Sequence, residues 1–263
     1  MVGSRKFPLI FVGILLYIFL LSPIFVVIPL SFSNDDWPAF LPSSWGVRWY
    51  LEILSNQGII RSFWTSLILG AIVTVISLAV SLPAVYAIKR SAMRGSDAVL
   101  NFFTSPLLLP SIVLGLAILL VFAPIGLLGT YTGLTLAHLI VTIPYAIRIL
   151  ATSLSTLNRS IEEAAATLGA TPIKVFFLVT APMMLPGLLA SAVLCFLVSF
   201  DEVVISLFLV GPRLTTLPVS LFSYVESHSD PMGASVSVLL IVFTLVFVFV
   251  LERLMGLSKA LGK

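Results

Sequence analysis

Six apolar runs divide this chain, at about residues 7–32, 63–88, 99–122, 134–154, 185–209 and 233–251. Each is close to or above the ~20 residues that an α-helix needs to cross a hydrocarbon core of about 30 Å. A bilayer interior offers no water to unpaired backbone groups, so spans of this kind are helical. Composition agrees: 59% of the 263 residues are hydrophobic and 10% are charged, against roughly 25% charged in a soluble domain. The expected fold is all-α, a polytopic membrane protein of six transmembrane helices in a single domain over residues 1–263. Arg5 and Lys6 precede the first run, as in a secretory signal. That run exceeds the roughly 7–15 residues of a signal h-region and lacks a small-x-small cleavage site, so it is read as a retained span.

Six spans place both termini on one side. If that side is the cytoplasm, it receives Arg5, Lys6, Lys89, Arg90, Arg94, Arg148, Arg159, Lys174, Arg253, Lys259 and Lys263, and the outer loops keep Arg48, Arg61 and Arg213. The positive-inside rule therefore predicts cytoplasmic termini. It also puts residues 89–98 and 155–175 inside, and 34–61 and 211–231 outside. Trp37, Trp45, Trp49 and Tyr50 suit an interfacial loop with a short helix near 47–54, and TLPVSLFSYVE suggests another in the last outer loop. Pro83, Pro106, Pro110 and Pro144 lie inside apolar runs, where a kink or a lining position is expected. Gly129 and Gly133 form a GxxxG pattern, which a tight loop explains at least as well.

Several function classes are disfavoured. The net charge of +3 is spread over short loops, which does not make a nucleic-acid surface. Cys195 is the single cysteine and lies in an apolar run, so neither a disulfide nor a thiolate metal site is expected. His138 and His228 have no metal-ligand spacing; a polar contact between helices is one reading of His138, and a solitary structural role is the preferred one. The sequence contains no GxxxxGK[ST] phosphate loop, no HExxH and no GxSxG. An ATP site in this chain, or a hydrolytic one, is therefore not expected.

The stretch 160–186, SIEEAAATLGATPIKVFFLVTAPMMLP, is the long interval between apolar runs that is both helix-coded and moderately polar. Ser160 and Glu163 have capping-box spacing, and Glu162 and Glu163 sit in a first turn, where the helix dipole favours negative charge. Alanines 164 to 166 favour helix with almost no side-chain bulk. Gly169 supplies a left-handed C-terminal position, and Thr171-Pro172 starts a second helix. By itself this describes a capped connector between two spans.

The stretch also resembles the cytoplasmic EAA loop of permease subunits in binding-protein-dependent ABC importers. Glu163-Ala164-Ala165 and Gly169 match that loop, and Val179-Thr180-Ala181-Pro182 falls at its hydrophobic-Leu-Pro ending, with Ala181 in place of Leu. The resemblance implies a coupling helix over about 155–175, with Glu162, Glu163, Ala164, Ala165, Gly169 and Pro172 as ATPase-coupling residues. It implies no cofactor in this chain, with ATP and Mg held by a separate ATPase dimer. It further implies a second permease subunit, a periplasmic substrate-binding protein and a bacterial inner-membrane location.

Asp201 and Glu202, within SFDEVVISLF, are conspicuous acids in an apolar run. A carboxylate in hydrocarbon costs about 2.5–3.5 kcal/mol on insertion scales, so it faces a cavity or a partner. One reading places Asp201, Glu202, Ser199 and Phe200 on a substrate path, with Asp201 meeting a cation and Phe200 adding a cation–π contact. The other is an ion pair or hydrogen bond to a second permease. Neighbouring helical residues point about 100° apart, so the two acids share a lining stripe only where the helix breaks. SFDEVVISLFLVGP, TLPVSLFSYV and Pro231-Met232-Gly233-Ala234 are similar to the second permease subunit of spermidine/putrescine-type importers. That resemblance implies a small cationic solute, with opines, amino-acid derivatives or other small organic solutes as alternatives. An ion-coupled secondary transporter conflicts with the coupling-type loop, and a membrane enzyme would need a convergent set of His, Asp or Ser that the sequence does not show.

Overall fold

In the computed structural model, residues 6–91 and 94–255 are described, so Arg5, Lys259 and Lys263 of the charge reading lie outside the described residues. The first helices are α1 (Lys6–Ser31), α2 (Arg48–Ser55), α3 (Gln57–Arg90) and α4 (Ser96–Thr104), the last followed by a 3-10 turn at Ser105–Leu108. Next come α5 (Ser111–Phe122), α6 (Tyr131–Ser155), α7 (Arg159–Thr167) and α8 (Pro172–Val175). A π turn at Phe176–Thr180 leads into α9 (Ala181–Met183) and α10 (Leu185–Phe200). The chain closes with α11 (Val204–Leu209), α12 (Leu217–Ser227) and α13 (Met232–Met255). The fold is all-α, with no strand among the described residues.

Among the described residues, four uninterrupted helices are long and apolar enough to cross a bilayer: Ile10–Ser31, Gln57–Arg90, Tyr131–Ser155 and Met232–Arg253. Two more candidates are bent pairs, Ser96–Leu108 with Ser111–Phe122 at 98° and Pro172–Met183 with Leu185–Phe200 at 71°. Counting each pair as one gives six, but two expected boundaries need correction. The third run is not one helix, because Leu109 before Pro110 is extended (φ −88°, ψ 138°). Proline excludes the α conformation from the residue before it and cannot donate to the helix ladder. The fifth run, read as 185–209, ends its helix at Phe200 and resumes at Val204. Negative charge opposes the dipole at a helix C-terminus, and Asp201 and Glu202 stand where α10 stops.

The chain packs as two compact units. The first comprises Met1–Ile60 and Leu221–Leu245. In it, Tyr50 donates to Ser31 Oγ at 2.7 Å and Ser235 donates to the Ser31 carbonyl at 2.9 Å, which ties α1, α2 and α13 together. The expected short helix near 47–54 is α2, which buries Trp49 and Ile53. Trp37 and Trp45 stay exposed, as interfacial side chains would. Asp35 accepts from the Ser43 hydroxyl and from its amide, which together hold its pKa below the ordinary carboxylate value. Asp230 accepts from Tyr224 at 2.7 Å and from the Met232 amide at 2.9 Å, capping α13.

The second unit comprises Arg61–Ser220 and Val246–Lys263. One core cluster joins Leu69 and Val73 of α3, Phe122 of α5, Leu134 of α6 and Ile205 of α11. Another joins Val85, Leu100, Leu150 and Met184. Lipid tails are as apolar as leucine, so helix association in a membrane rests on packing and interhelical hydrogen bonds of about 0.6 kcal/mol each. Such bonds recur here. Ser77 pairs with Thr142 at 2.7 Å, and His138 lies 2.8 Å from Ser199 Oγ and 3.0 Å from Ser206 Oγ. His138 thus holds α10 and α11 across their break. Residues 126–130 form a turn, with positive φ at Gly126 and Gly129, and Gly133 lies in the first turn of α6.

Candidate functional site: the exposed loop helix and the acidic break

Helix α7 starts two residues earlier than the capping-box reading requires. Asn158 is its N-cap, accepting from the Ser160 amide at 3.1 Å. Glu163 therefore does not reach back to Ser160; it pairs with Arg159 at 3.2 Å, one turn earlier on the same exposed face. Asparagine ranks with serine as a cap and lies first in the chain, which is why it takes the position. At the far end, Gly169 has φ +86°. Its amide bonds the Ala166 carbonyl at 2.9 Å, and the Ala170 amide bonds Ala165 at 3.1 Å. These are the paired closures of a Schellman end, which needs the left-handed residue. Thr171 then caps α8 through the Lys174 amide at 3.4 Å, with Pro172 as its first residue.

This helix–turn–helix offers apolar side chains to the outside. Leu168 at the turn is 89% exposed and Ile173 is 71% exposed. Ala164 and Ala166 are also exposed, and Ala165 is half-buried. Glu162 turns the other way. Its Oε2 lies 2.8 Å from Arg90 Nε, an ion pair by distance without an aligned N–H···O bond, and both side chains are largely covered. Its Oε1 accepts from Thr180 Oγ1 at 2.8 Å. Beside this pair runs an open groove of about 480 Å³, lined by Arg90, Arg159, Glu162, Ala166 and Ala170 among others.

The structure divides the four residues assigned to a substrate path. Ser199 is bound to His138, and Phe200 is 2% exposed, stacked on Phe196 at 5.5 Å and edge-on to Phe63 at 6.3 Å. Both side chains are thus buried within the fold. Asp201 is exposed at the end of α10, and its carboxylate has no partner among the described residues. Glu202 is half-buried and accepts from the Ile205 amide at 3.0 Å, which caps the start of α11. Sequence reading missed Arg90, Thr180 and Asn158. Asn158 carried a legible capping signal. The other two reach Glu162 only through the tertiary fold.

An all-α membrane chain with broken spans and an exposed, glycine-turned loop helix has the architecture of a permease subunit. Residues 79–259 match the family described as "Binding-protein-dependent transport system inner membrane component". The chain belongs to that family. It is 34% identical to the putrescine transport system permease protein PotI of Escherichia coli K12 over 82% of this chain and 79% of that one. It is 27% identical to the spermidine/putrescine transport system permease protein PotC of the same organism, over 94% and 93%. It is also 26% identical to the putative 2-aminoethylphosphonate transport system permease protein PhnV of Salmonella typhimurium, over 95% and 94%. Among solved structures, a chain of a bacterial ABC transporter that imports the acidic polysaccharide alginate superposes with TM-score 0.69 at 18% identity, covering 97% of this chain and 98% of that one. The inward-facing MetNI methionine ABC transporter gives 0.62 at 19% identity, over 75% and 94%. At these identities the structures attest the fold alone.

Proposed function

We propose that this chain is one half of a heterodimeric permease in an ABC importer and that it passes a small organic cation of the polyamine type into the cell. All of residues 1–263 serve as one permease domain in the inner membrane, with both termini cytoplasmic. A periplasmic binding protein delivers the solute, and a separate ATPase dimer, holding ATP and Mg, docks on the 155–175 loop. The chain itself performs no catalysis. It is a conduit whose helices an ATPase moves.

The observation that carries the cationic reading is the unpaired carboxylate of Asp201, at the end of α10 away from the loop. In the same topology the outer segments 34–61 and 211–231 carry Asp35, Asp36, Glu52, Glu226 and Asp230 against Arg48, Arg61 and Arg213. An excess of acidic residues on one side of a protein favours the approach of cations. The similarity to two polyamine permeases supports the same class of solute.

A second reading, 2-aminoethylphosphonate, rests on the similarity to PhnV. Uptake of labelled putrescine, spermidine and 2-aminoethylphosphonate separates them, in cells carrying only this importer with its binding protein and ATPase. The cationic reading expects saturable, ATPase-dependent amine uptake that the phosphonate does not compete. Phosphonate uptake without amine uptake would overturn it.

A further inference from the structure

Hydroxyl side chains inside these helices share a habit. Thr65, Thr74, Thr142, Thr152, Thr167 and Ser237 each donate to the carbonyl four residues back. Thr180 departs from it: its hydroxyl goes to Glu162 Oε1 at 2.8 Å. It closes the π turn Phe176–Thr180 and is fully buried. A π turn widens the helix locally and redirects the side chains that follow, and such turns collect at functional positions.

Glu162 therefore divides its two oxygens between two elements. One meets Arg90, the last residue of the 34-residue helix α3, and the other meets the π turn that opens the bent fifth span. Arg90 at a helix C-terminus and Glu162 in a helix first turn are each favoured there by the dipoles. The neighbouring Glu163 has no such reach. Its pair with Arg159 leaves both side chains about two-thirds exposed, and an exposed pair of this spacing holds little.

We infer that Arg90, Glu162 and Thr180 form a positioning strut that makes α7 move as one body with α3 and with the first limb of the fifth span. Glu162, rather than its exposed neighbour, is the joint through which a push on the loop reaches the membrane helices. Discrete packed contacts of this kind carry displacement between sites. The inference rests on the reading that the loop docks on an ATPase.

The test uses the complete importer in proteoliposomes with its binding protein and putrescine. It measures uptake per ATP hydrolysed and the ratio of transport-stimulated to basal hydrolysis, at equal retained ATPase. Glu162→Gln is expected to lower both by about ten-fold and Thr180→Val by about three-fold, within the range of coupling-network substitutions. Thr180→Ser keeps the hydroxyl and is expected to keep coupling. The double variant Arg90→Glu with Glu162→Arg is expected to recover part of what each single variant loses, which a merely structural defect would not do. Unchanged uptake per ATP in Glu162→Gln would overturn the strut. If that variant fails to accumulate, equal coupling in Thr180→Val and Thr180→Ser would overturn it instead. Cross-linking from Leu168→Cys separates the two ideas. No cross-link to the ATPase sinks the docking reading itself, while a cross-link with intact coupling in Glu162→Gln sinks the strut alone.

Discussion

The carboxylate of Asp201 has no partner among the described residues, whereas that of Glu202 accepts from the Ile205 amide at 3.0 Å. The two acids thus divide into a free charge and a helix cap. A cation near Asp201 would find a charge that costs about 2.5–3.5 kcal/mol to hold within the membrane and gains by being met. Asp201→Asn keeps shape and removes that charge. It is expected to lower uptake of labelled putrescine about ten-fold, equivalent to about 1.4 kcal/mol, with binding to the external receptor unchanged. Glu202→Gln keeps an acceptor oxygen for Ile205 and is expected to transport within about two-fold of the wild type. Uptake normalised to assembled complex decides between them. The reverse order of effects would move the path to Glu202, and two normal variants would leave the pair structural.

Among the elements, the α7–α8 turn depends on one backbone conformation. Gly169 at φ +86° closes α7, and its loss strains the turn wherever the side chain points. A β-branched residue in the left-handed region costs about 1–3 kcal/mol. Gly169→Val is therefore expected to insert normally yet to lose most uptake and to retain less ATPase on purification. Gly169→Ala is expected to fall between it and the wild type. Normal uptake by Gly169→Val at wild-type abundance would reduce the loop to a connector. The bent spans follow the same local logic. Pro110 forces Leu109 out of the helix, and the break after Phe200 is held by His138 bonded to Ser199 and Ser206.

At the scale of the whole chain, the charge bias makes a topology that labelling can check. Single cysteines are placed at Leu41, Arg213, Arg94 and Leu168 in a Cys195→Ser background. The substitution of Cys195 is conservative in size, and its thiol makes a long contact of 3.6 Å to the Thr142 carbonyl. Leu41→Cys and Arg213→Cys are expected to react with an impermeant maleimide in intact cells, and Arg94→Cys and Leu168→Cys only after permeabilisation. Outside labelling at Leu168 would invert the topology and remove the loop from any cytoplasmic ATPase.

Much of this was legible in the chain itself, because the strongest constraints on it are local. The length of an apolar run against a bilayer fixes where helices lie, so α3, α6 and α13 fall where hydropathy put them. The short helices α2 and α12 and the positive φ of Gly169 likewise follow from nearby residues. The family resemblance rested on a contiguous motif, and the family match at residues 79–259 bears it out. What a contiguous reading could not supply was the partner of each polar group. Capping-box spacing fitted Ser160 and Glu163, yet Asn158 took the cap, because competition between neighbouring caps is settled by where the helix starts. Ser199 and Phe200, at the end of α10, pack against His138 of α6 and Phe63 of α3, contacts that no contiguous reading supplies. Glu162 and Glu163 are indistinguishable by type, and only the arrival of Arg90 and Thr180, 72 and 18 residues away, separates a joint from a solvated charge. Helix positions are decided within a span, where each backbone group must bond its own helix. Side-chain roles are decided between spans, where the partner comes from elsewhere in the chain.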